Sequence, residues 1–368
     1  MILKDLSLVN FKNYKGIELS LNPKINCFVG NNGQGKTNLL DAIYYLSFCK
    51  SFLNPLDSQN INYEESFFMI QGTYERDTKV EQIYCGIKRG QKKIFRRNKK
   101  DYEKLSDHIG LLPLVVISPS DSALINDGSE LRRKFIDGII SQYDSCYLET
   151  LIDYNKALSQ RNALLKYFFK QRTFNQDQLD IWDFQLVKYG EIIFQKRKEL
   201  ISNLSPVFQK YFLKISGGNE IVQLTYQSQL ELGDFEGQIK KSTDIDRRKL
   251  YSTVGIHKDD LLFQIGERPI KKFGSQGQQK SYLIALKLAQ LELLKEAVGI
   301  DPILLLDDVF DKLDEQRVSQ LLELVNSNQF GQIFLSDTHP KRIEEILTQL
   351  KLESSVFEVD NKEAKIRI

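Results

Sequence analysis

Residues 25–50 read INCFVGNNGQGKTNLLDAIYYLSFCK, and this stretch decides the fold. An apolar run opens it, a glycine loop follows, and helical apolar spacing closes it, which predicts strand, loop and helix in that order. Gly30, Gly35, Lys36 and Thr37 satisfy the spacing G-x-x-x-x-G-K-[ST]. In that loop backbone N–H groups face nucleotide phosphates, the lysine reaches the β and γ oxygens, and the hydroxyl binds Mg²⁺. The nucleotide-binding positions are therefore Gly30, Asn31, Asn32, Gly33, Gln34, Gly35, Lys36, Thr37 and Asn38. The bare pattern arises in roughly a few per cent of chains this long, and a surface glycine turn is the plain alternative. The strand before it and the helix after it favour the anion site, because a helix N-terminus supplies partial positive charge.

Such a site needs a carboxylate at the end of a buried strand, and residues 302–308, PILLLDD, supply one. Asp307 is assigned to the metal, and Asp308 to polarising the attacking water as general base, with Lys36 as its catalytic partner. A strand-end acidic turn is the alternative. Many related ATPases carry glutamate in the second position. The shorter Asp308 predicts slow turnover, below the typical enzyme median of ~10 s⁻¹.

Residues 274–281, GSQGQQKS, form a second polar loop ahead of the helical pattern SYLIALKLAQLELLKEA, which is expected to be amphipathic. One loop already covers a nucleotide's near face, so a second would be redundant unless it met a different nucleotide. Ser275, Gln276 and Gly277 are expected to contact the γ-phosphate held by another subunit, sandwiching two ATP molecules in an isologous homodimer. A serine N-cap in a solvent turn is the alternative. This order of phosphate loop, serine loop, helix, acid strand and then KLD resembles ATP-binding-cassette heads, including the structural-maintenance-of-chromosomes type. The resemblance implies that Asp314 lies at the dimer interface.

The 368 residues, 41% hydrophobic and 27% charged, suffice for a sizeable core and two domains. Lys and Arg total 51 against 49 Asp and Glu, so the net charge of +2 neither demands nor excludes a polyanionic partner. Cys27, Cys49, Cys85 and Cys146 lie far apart with no CxxC pair, against a zinc site or disulfide framework. The N-terminus alternates like a strand, and no apolar run approaches the ~20 residues of a membrane span. A cytoplasmic protein without a membrane partner is expected.

Along the chain, the first thirty residues read as two strands and residues 65–100 as hairpins. LLPLVVIS, from residue 111, reads as a buried strand before the turn PSD. Residues 122–217 turn helical, then strand patterns return at IVQLTY and LLFQIG. The fold class is α/β: an ABC-type P-loop ATPase head built from both chain ends, residues 1–121 and 246–368, around an inserted mainly helical domain, residues 122–245.

The segments NFKNY, GNNGQGKTNLLDAIYYL, SPSD with GSELRRKFID, YNKALSQRNALLK, GIHKDDL, GSQGQQKS and LLLDDVFDKLD stand in this order. The set resembles the RecF family of bacterial recombination-repair ATPases along nearly the whole chain. Two segments depart from the family pattern: Ile256 and Lys258 stand where Pro and Arg are common, and residues 311–314 read DKLD where Ser-Glu-Leu-Asp is common. Lys258 keeps the charge without arginine's fork. The loop after VVIS carries no glutamine of the kind related cassettes use to sense Mg²⁺, and His339 in SDTHP is the candidate switch histidine. The resemblance implies ATP-driven dimers on double-stranded DNA, gaps or single-strand junctions, with RecR and RecO as mediators and RecA loaded indirectly. It also implies weak, DNA-stimulated ATP hydrolysis that releases the clamp.

Residues 88–100, KRGQKKIFRRNKK, hold eight Lys or Arg and no acid, so Lys92, Lys93, Arg96 and Arg97 are candidates for DNA-backbone contact. A solvated hairpin is the alternative. Arg132, Arg133, Lys134, Lys166, Lys170 and Arg172 are weaker candidates for a basic face. Two other functions fit the motifs: a transporter-type cassette subunit, and a structural DNA-binding protein with a non-hydrolysing nucleotide site.

Overall fold

The structure, a computed structural model, describes residues 1–76, 79–218, 220–309, 331–350, 353–360 and 363–367. Three strands are buried at every residue: β3 (Ile25–Val29), β12 (Ile303–Asp307) and β13 (Ile333–Asp337). Strands buried on both faces belong to the interior of a parallel sheet. With β8 (Leu114–Ile117), β14 (Ser354–Asp360) and β15 (Glu363–Ile366) they form a sheet ordered β15-β14-β3-β13-β12-β8. All pairs in it are parallel except β14 with β15.

A second sheet is wholly antiparallel. Its strands are β1 (Ile2–Phe11), β2 (Tyr14–Ser20), β4 (Phe67–Arg76), β5 (Lys79–Lys88), β6 (Ile94–Arg97) and β7 (Lys100–Asp101), in the order β2-β1-β4-β5-β6-β7. The first thirty residues thus hold three strands, not two. Lys12 turns the extra hairpin at φ 52°, and β2, at the sheet edge, buries too few side chains to show a clear period.

Helix α1 (Lys36–Phe48) joins the two sheets through one apolar core. Leu6, Leu8 and Phe68 from the antiparallel sheet share it with Leu39, Ile43 and Leu46 of the helix and Phe28, Leu305 and Phe334 of the parallel sheet. Helix α8 (Gln276–Val298) corrects the expectation of amphipathy, because every residue from 281 to 291 is buried. Its apolar residues cover all sides, as a core helix requires. The one cation in that run, Lys287, meets Asp121 at 2.8 Å.

The chain divides into two compact units, residues 1–121, 211–218 and 280–368, and residues 122–210 and 219–279. The boundary expected at 245/246 falls inside helix α6 (Phe235–Lys249) and moves to 279/280. The mostly polar α6 is set by its ends: Asp234 accepts from the Gly237 amide at 3.0 Å, and Arg247, Arg248 and Lys249 fill its last turn.

The second unit contains α2 (Ser122–Asn126), α3 (Ser129–Ile140), α4 (Ser145–Gln171) and most of α5 (Gln176–Ser216). After them come β9 (Val222–Gln227), α6, β10 (Asp260–Ile265), β11 (Arg268–Pro269) and the short α7 (Ile270–Phe273). Strands β9 to β11 form a small antiparallel sheet. Inside the unit's apolar core lie buried ion pairs: Arg197 binds Asp137 and Asp259, each at 2.9 Å, and Arg161 binds Asp183 and Asp246. In GIHKDDL, Asp259 also accepts from Tyr226 and Asp260 pairs with Arg132 at 2.7 Å, so these acids hold the unit together. Among the described residues no helix is long and apolar enough to cross a membrane.

Candidate nucleotide site

The phosphate loop leaves β3 at Gly30, whose amide donates to the Asp337 carbonyl of β13 at 3.3 Å. A Cβ on Gly30, at φ 151°, would lie 2.2 Å from the Val359 carbonyl oxygen, so the chain passes there only as glycine. The far end is clamped by the β1–β2 turn. Asn13 Nδ2 donates to the Gln34 carbonyl at 2.8 Å, its Oδ1 accepts from Asn38 Nδ2 at 2.7 Å, and Tyr14 OH donates to the Gly35 carbonyl at 3.1 Å. Gly35, at φ 118°, has no room for a Cβ, which would sit 2.4 Å from Asn13 Nδ2. Sequence reasoning missed Asn13 and Tyr14, although NFKNY had been singled out. A motif marks the residues that touch a ligand and not those that hold the loop.

Lys36, 4% exposed, opens α1 and folds back over the loop, donating to the carbonyls of Gly30 at 2.9 Å and Asn31 at 3.1 Å. Thr37 Oγ1 donates to Asp307 Oδ1 at 2.8 Å, joining phosphate loop and acid strand across 270 positions of sequence. Ser336, on the intervening β13, donates to the same oxygen at 2.7 Å and accepts from the Asp308 amide at 3.0 Å. Asp308 sits at φ 45°, a left-handed turn directly after the strand, with its Oδ1 3.4 Å from Ser336 Oγ. Beside the site Lys12 pairs with Asp41 at 2.5 Å. Burial pushes the Lys12 ammonium below its ordinary value, and Asp41, then Asp307, oppose that shift.

These groups fit a nucleotide phosphate with a hard divalent cation. An ammonium now turned onto loop carbonyls, the backbone amides at the start of α1, and a hydroxyl paired with a carboxylate are the donor types such a pair takes. His339 immediately precedes helix α9 (Pro340–Leu350), with its amide on Asp337 Oδ1 at 2.6 Å and its ring Nδ1 2.9 Å from Thr338 Oγ1. Its side chain is 66% exposed. Asp314, and with it the rest of KLD, lies outside the described residues.

The serine loop is built differently. Ser275 Oγ accepts from the Gln278 amide at 3.2 Å, and Gln278 Oε1 accepts from the Ser275 amide at 2.7 Å, a reciprocal capping box that starts α8. Ser275 and Gln276 are exposed and Gly277 is half-buried.

The candidate DNA-contact residues at 92–97 are largely spoken for. Lys93 is held by Asp57 at 2.7 Å, the Cys49 carbonyl at 2.6 Å and Tyr45 OH at 3.0 Å, and so plugs the C-terminus of α1. Arg97 forks onto Glu81 at 2.5 and 2.6 Å, and Arg96 pairs with Asp101 at 2.6 Å. Only Lys92 of the four is exposed. The acids were invisible in the local sequence because Asp57 and Glu81 reach the hairpin from other elements. Arg132 is likewise paired with Asp260, Lys134 with Glu130, and Arg133 donates to the Asp259 carbonyl.

A family model described as the RecF/RecN/SMC N terminal domain matches residues 2–363. The chain is similar to the DNA replication and repair protein RecF of Phocaeicola vulgatus, 52% identical over 369 residues that cover 100% of this chain and 99% of that protein. Its similarity to the same-named protein of Flavobacterium johnsoniae is 53% over 357 residues, covering 97% of this chain and 99% of that one. A solved structure of the recombination mediator protein RecF with ATP, of the RecFOR pathway, superposes with a TM-score of 0.90 at 30% identity, covering 100% of this chain and 98% of that chain.

Proposed function

The chain belongs to the RecF family, and from that premise we propose that it is an ATP-dependent DNA-binding protein of recombinational repair and replication. In this reading ATP and Mg²⁺ bind at residues 30–38, two subunits close over two nucleotides, the closed dimer holds gapped or junction DNA, and slow hydrolysis opens it. The same reading takes RecR and RecO as partners, RecA as loaded indirectly and the setting as cytoplasmic; the RecFOR pathway named for the solved RecF structure supports the first of these. The observation that carries the reading is the Thr37–Asp307 hydrogen bond of 2.8 Å, which ties phosphate loop and acid strand into one site.

Each residue has a definite task. Lys36 exchanges the carbonyls of Gly30 and Asn31 for phosphate oxygens, and the amides of the clamped loop supply further donors. Thr37 and Asp307 hold the cation, which when bound neutralises charge on the phosphates. Asp308 takes the proton of the attacking water. Ser336, donating to Asp307 and receiving the Asp308 amide, keeps the two carboxylates in register. Ser275 completes the partner's site, and His339 turns towards the nucleotide when the dimer closes.

Fluorescence anisotropy of a labelled gapped duplex, with and without ATP·Mg²⁺ at two salt concentrations, tests this function. Tighter binding with ATP supports the clamp. Strong binding indifferent to ATP points to a structural DNA-binding protein, and absence of binding overturns the proposal.

A further inference from the structure

Two basic stretches of this chain differ in what surrounds them. The hairpin at residues 88–100 is basic in sequence, but Asp57, Glu81 and Asp101 neutralise three of its cations. Residues 154–176 carry Lys156, Arg161, Lys166, Lys170 and Arg172 and no Asp or Glu. Arg161 is spent on the buried network. Lys166, Lys170 and Arg172 are exposed, and among the described residues no carboxylate pairs with them.

Aromatic rings are interleaved with these cations at the turn from α4 to α5. Tyr167 is 56% exposed, Phe169 68% and Phe174 36%, an unusual grouping of large apolar side chains in water. Each helical residue advances by about 100°, so with Phe168 turned inward, Tyr167 and Phe169 flank α4 and Lys166 and Lys170 occupy the ridge between them. The turn is rigid. Arg172 ends α4 at φ 52°, the Thr173 amide donates to the Phe168 carbonyl at 3.1 Å, and Phe174 meets Phe168 edge-on at 5.5 Å. Arg247 of α6, itself 3.5 Å from Asp244, stacks 3.8 Å over the Phe174 ring. Along the outer side of α4 lies an open depression of about 460 Å³ lined by Asn155, Leu158, Ser159, Asn162, Ala163 and Lys166. Its lining mixes polar and apolar side chains and carries no acid.

We propose that the α4–α5 turn is a contact site for single-stranded nucleic acid, with bases stacking on Tyr167 and Phe169 and phosphates held by Lys166, Lys170 and Arg172. Rings for stacking and unpaired cations for the backbone are what sequence-independent single-strand recognition requires. A protein partner would also cover the rings, but it gives no reason for an acid-free run of cations between them. The inference rests on the reading of the chain as a DNA-binding ATPase and adds a strand preference to it.

The test uses the full chain with labelled oligo(dT) and, separately, a blunt duplex. Tyr167→Ala with Phe169→Ala is expected to weaken oligo(dT) binding by about tenfold or more, since each stacked base contributes ~1–3 kcal/mol, while duplex affinity stays within about twofold. Tyr167→Phe with Phe169→Tyr keeps the rings and should keep the affinity. Lys166→Gln, Lys170→Gln and Arg172→Gln together should lower the salt slope on oligo(dT) by about 2, at ~0.7 per phosphate contact. All these side chains are exposed, so an unchanged thermal midpoint certifies the fold. Unchanged oligo(dT) affinity in the double alanine variant overturns the inference and assigns the turn to a protein partner. A wild-type chain that binds duplex in response to ATP but not oligo(dT) also overturns it alone. One that binds neither overturns the proposed function as well.

Discussion

Two glycine-bearing loops open helices in this chain, and they are held in opposite ways. The phosphate loop is clamped from outside by Asn13, Tyr14 and the backbone of β13, and its lysine and threonine already have partners within the same unit. The serine loop is held mostly by contacts near it in sequence, its own capping box and Gln279 on the Ile270 and Gly274 carbonyls, with Gln278 reaching Glu220 at 2.6 Å, and it leaves Ser275 and Gln276 in solvent. A loop clamped by distant residues is preorganised, so it binds without first being ordered. A loop whose serine and glutamine face water leaves those two side chains accessible to another molecule. In the proposed reading the first loop serves a nucleotide bound in cis and the second one bound in trans, and that contrast is what the following variants test.

The largest expected effect breaks the clamped loop. Lys36→Met removes an ammonium whose partners among the described residues are loop carbonyls, so the fold should survive while ATP turnover falls roughly 10²-fold or more. A phosphate-release assay measures it. Retention of more than about a tenth of wild-type turnover would remove Lys36 from the site.

Next comes Ser275→Arg, which should leave ATP affinity of the monomer within about twofold and raise the dissociation constant of the ATP-driven dimer by roughly thirtyfold, the ~2 kcal/mol of an interfacial hot spot. Equilibrium titration of ATP and sedimentation at graded protein concentrations separate the two effects. If ATP affinity falls as far as dimerisation does, the loop acts in cis and the contrast collapses.

How legible this was from sequence follows from the reach of each contact. The strand, phosphate loop and α1 are consecutive, so their pattern survives in the string. The acid strand is legible because an apolar run must end somewhere, and Asp307 and Asp308 mark the end. Asn13 binds Gln34 from 21 positions away, and Ser336 reaches Asp307 from 29. Nothing local announces either. The cations at 88–100 misled for the same reason, since Asp57 lies far upstream of Lys93. α6 was missed because its polar sequence has too few apolar residues to show a period.

Mild acid tests whether the loops differ only locally. The unit with the phosphate loop holds His108, which accepts from Tyr102 OH at 3.0 Å and donates to the Leu46 carbonyl at 2.6 Å. The other unit holds His257 in the same way, between Tyr154 OH at 2.9 Å and the Ser252 carbonyl at 2.9 Å. Burial lowers both imidazoles to about 4. The unfolded chain takes up these protons from about pH 6.5 downward, while the native chain stays neutral until about 4, so stability is lost as pH falls across that window. At pH 5.5 each histidine should cost about 1.4 kcal/mol, seen as a lower urea midpoint. His108→Gln and His257→Gln should each flatten the dependence by a similar amount. A slope carried by one of them alone would mean that the units differ in more than their loops.

The smallest effect makes the sharpest distinction, because it separates the two jobs of Ser275. As an N-cap it satisfies the Gln278 amide, and Ser275→Ala should cost ~1 kcal/mol of stability for that reason alone. Aspartate caps a helix as well as serine does, so Ser275→Asp should hold stability within ~0.5 kcal/mol. Its charge, however, would face the anionic phosphate of the other subunit's nucleotide, and like charges brought together without water repel. The trans reading therefore expects a stable Ser275→Asp chain that binds ATP and stays monomeric, beside a slightly less stable Ser275→Ala chain that dimerises more weakly than the wild type through loss of one hydroxyl contact. If Ser275→Asp dimerises with ATP as the wild type does, the capping box is the whole purpose of the loop, and the second nucleotide contact must be sought elsewhere in the chain.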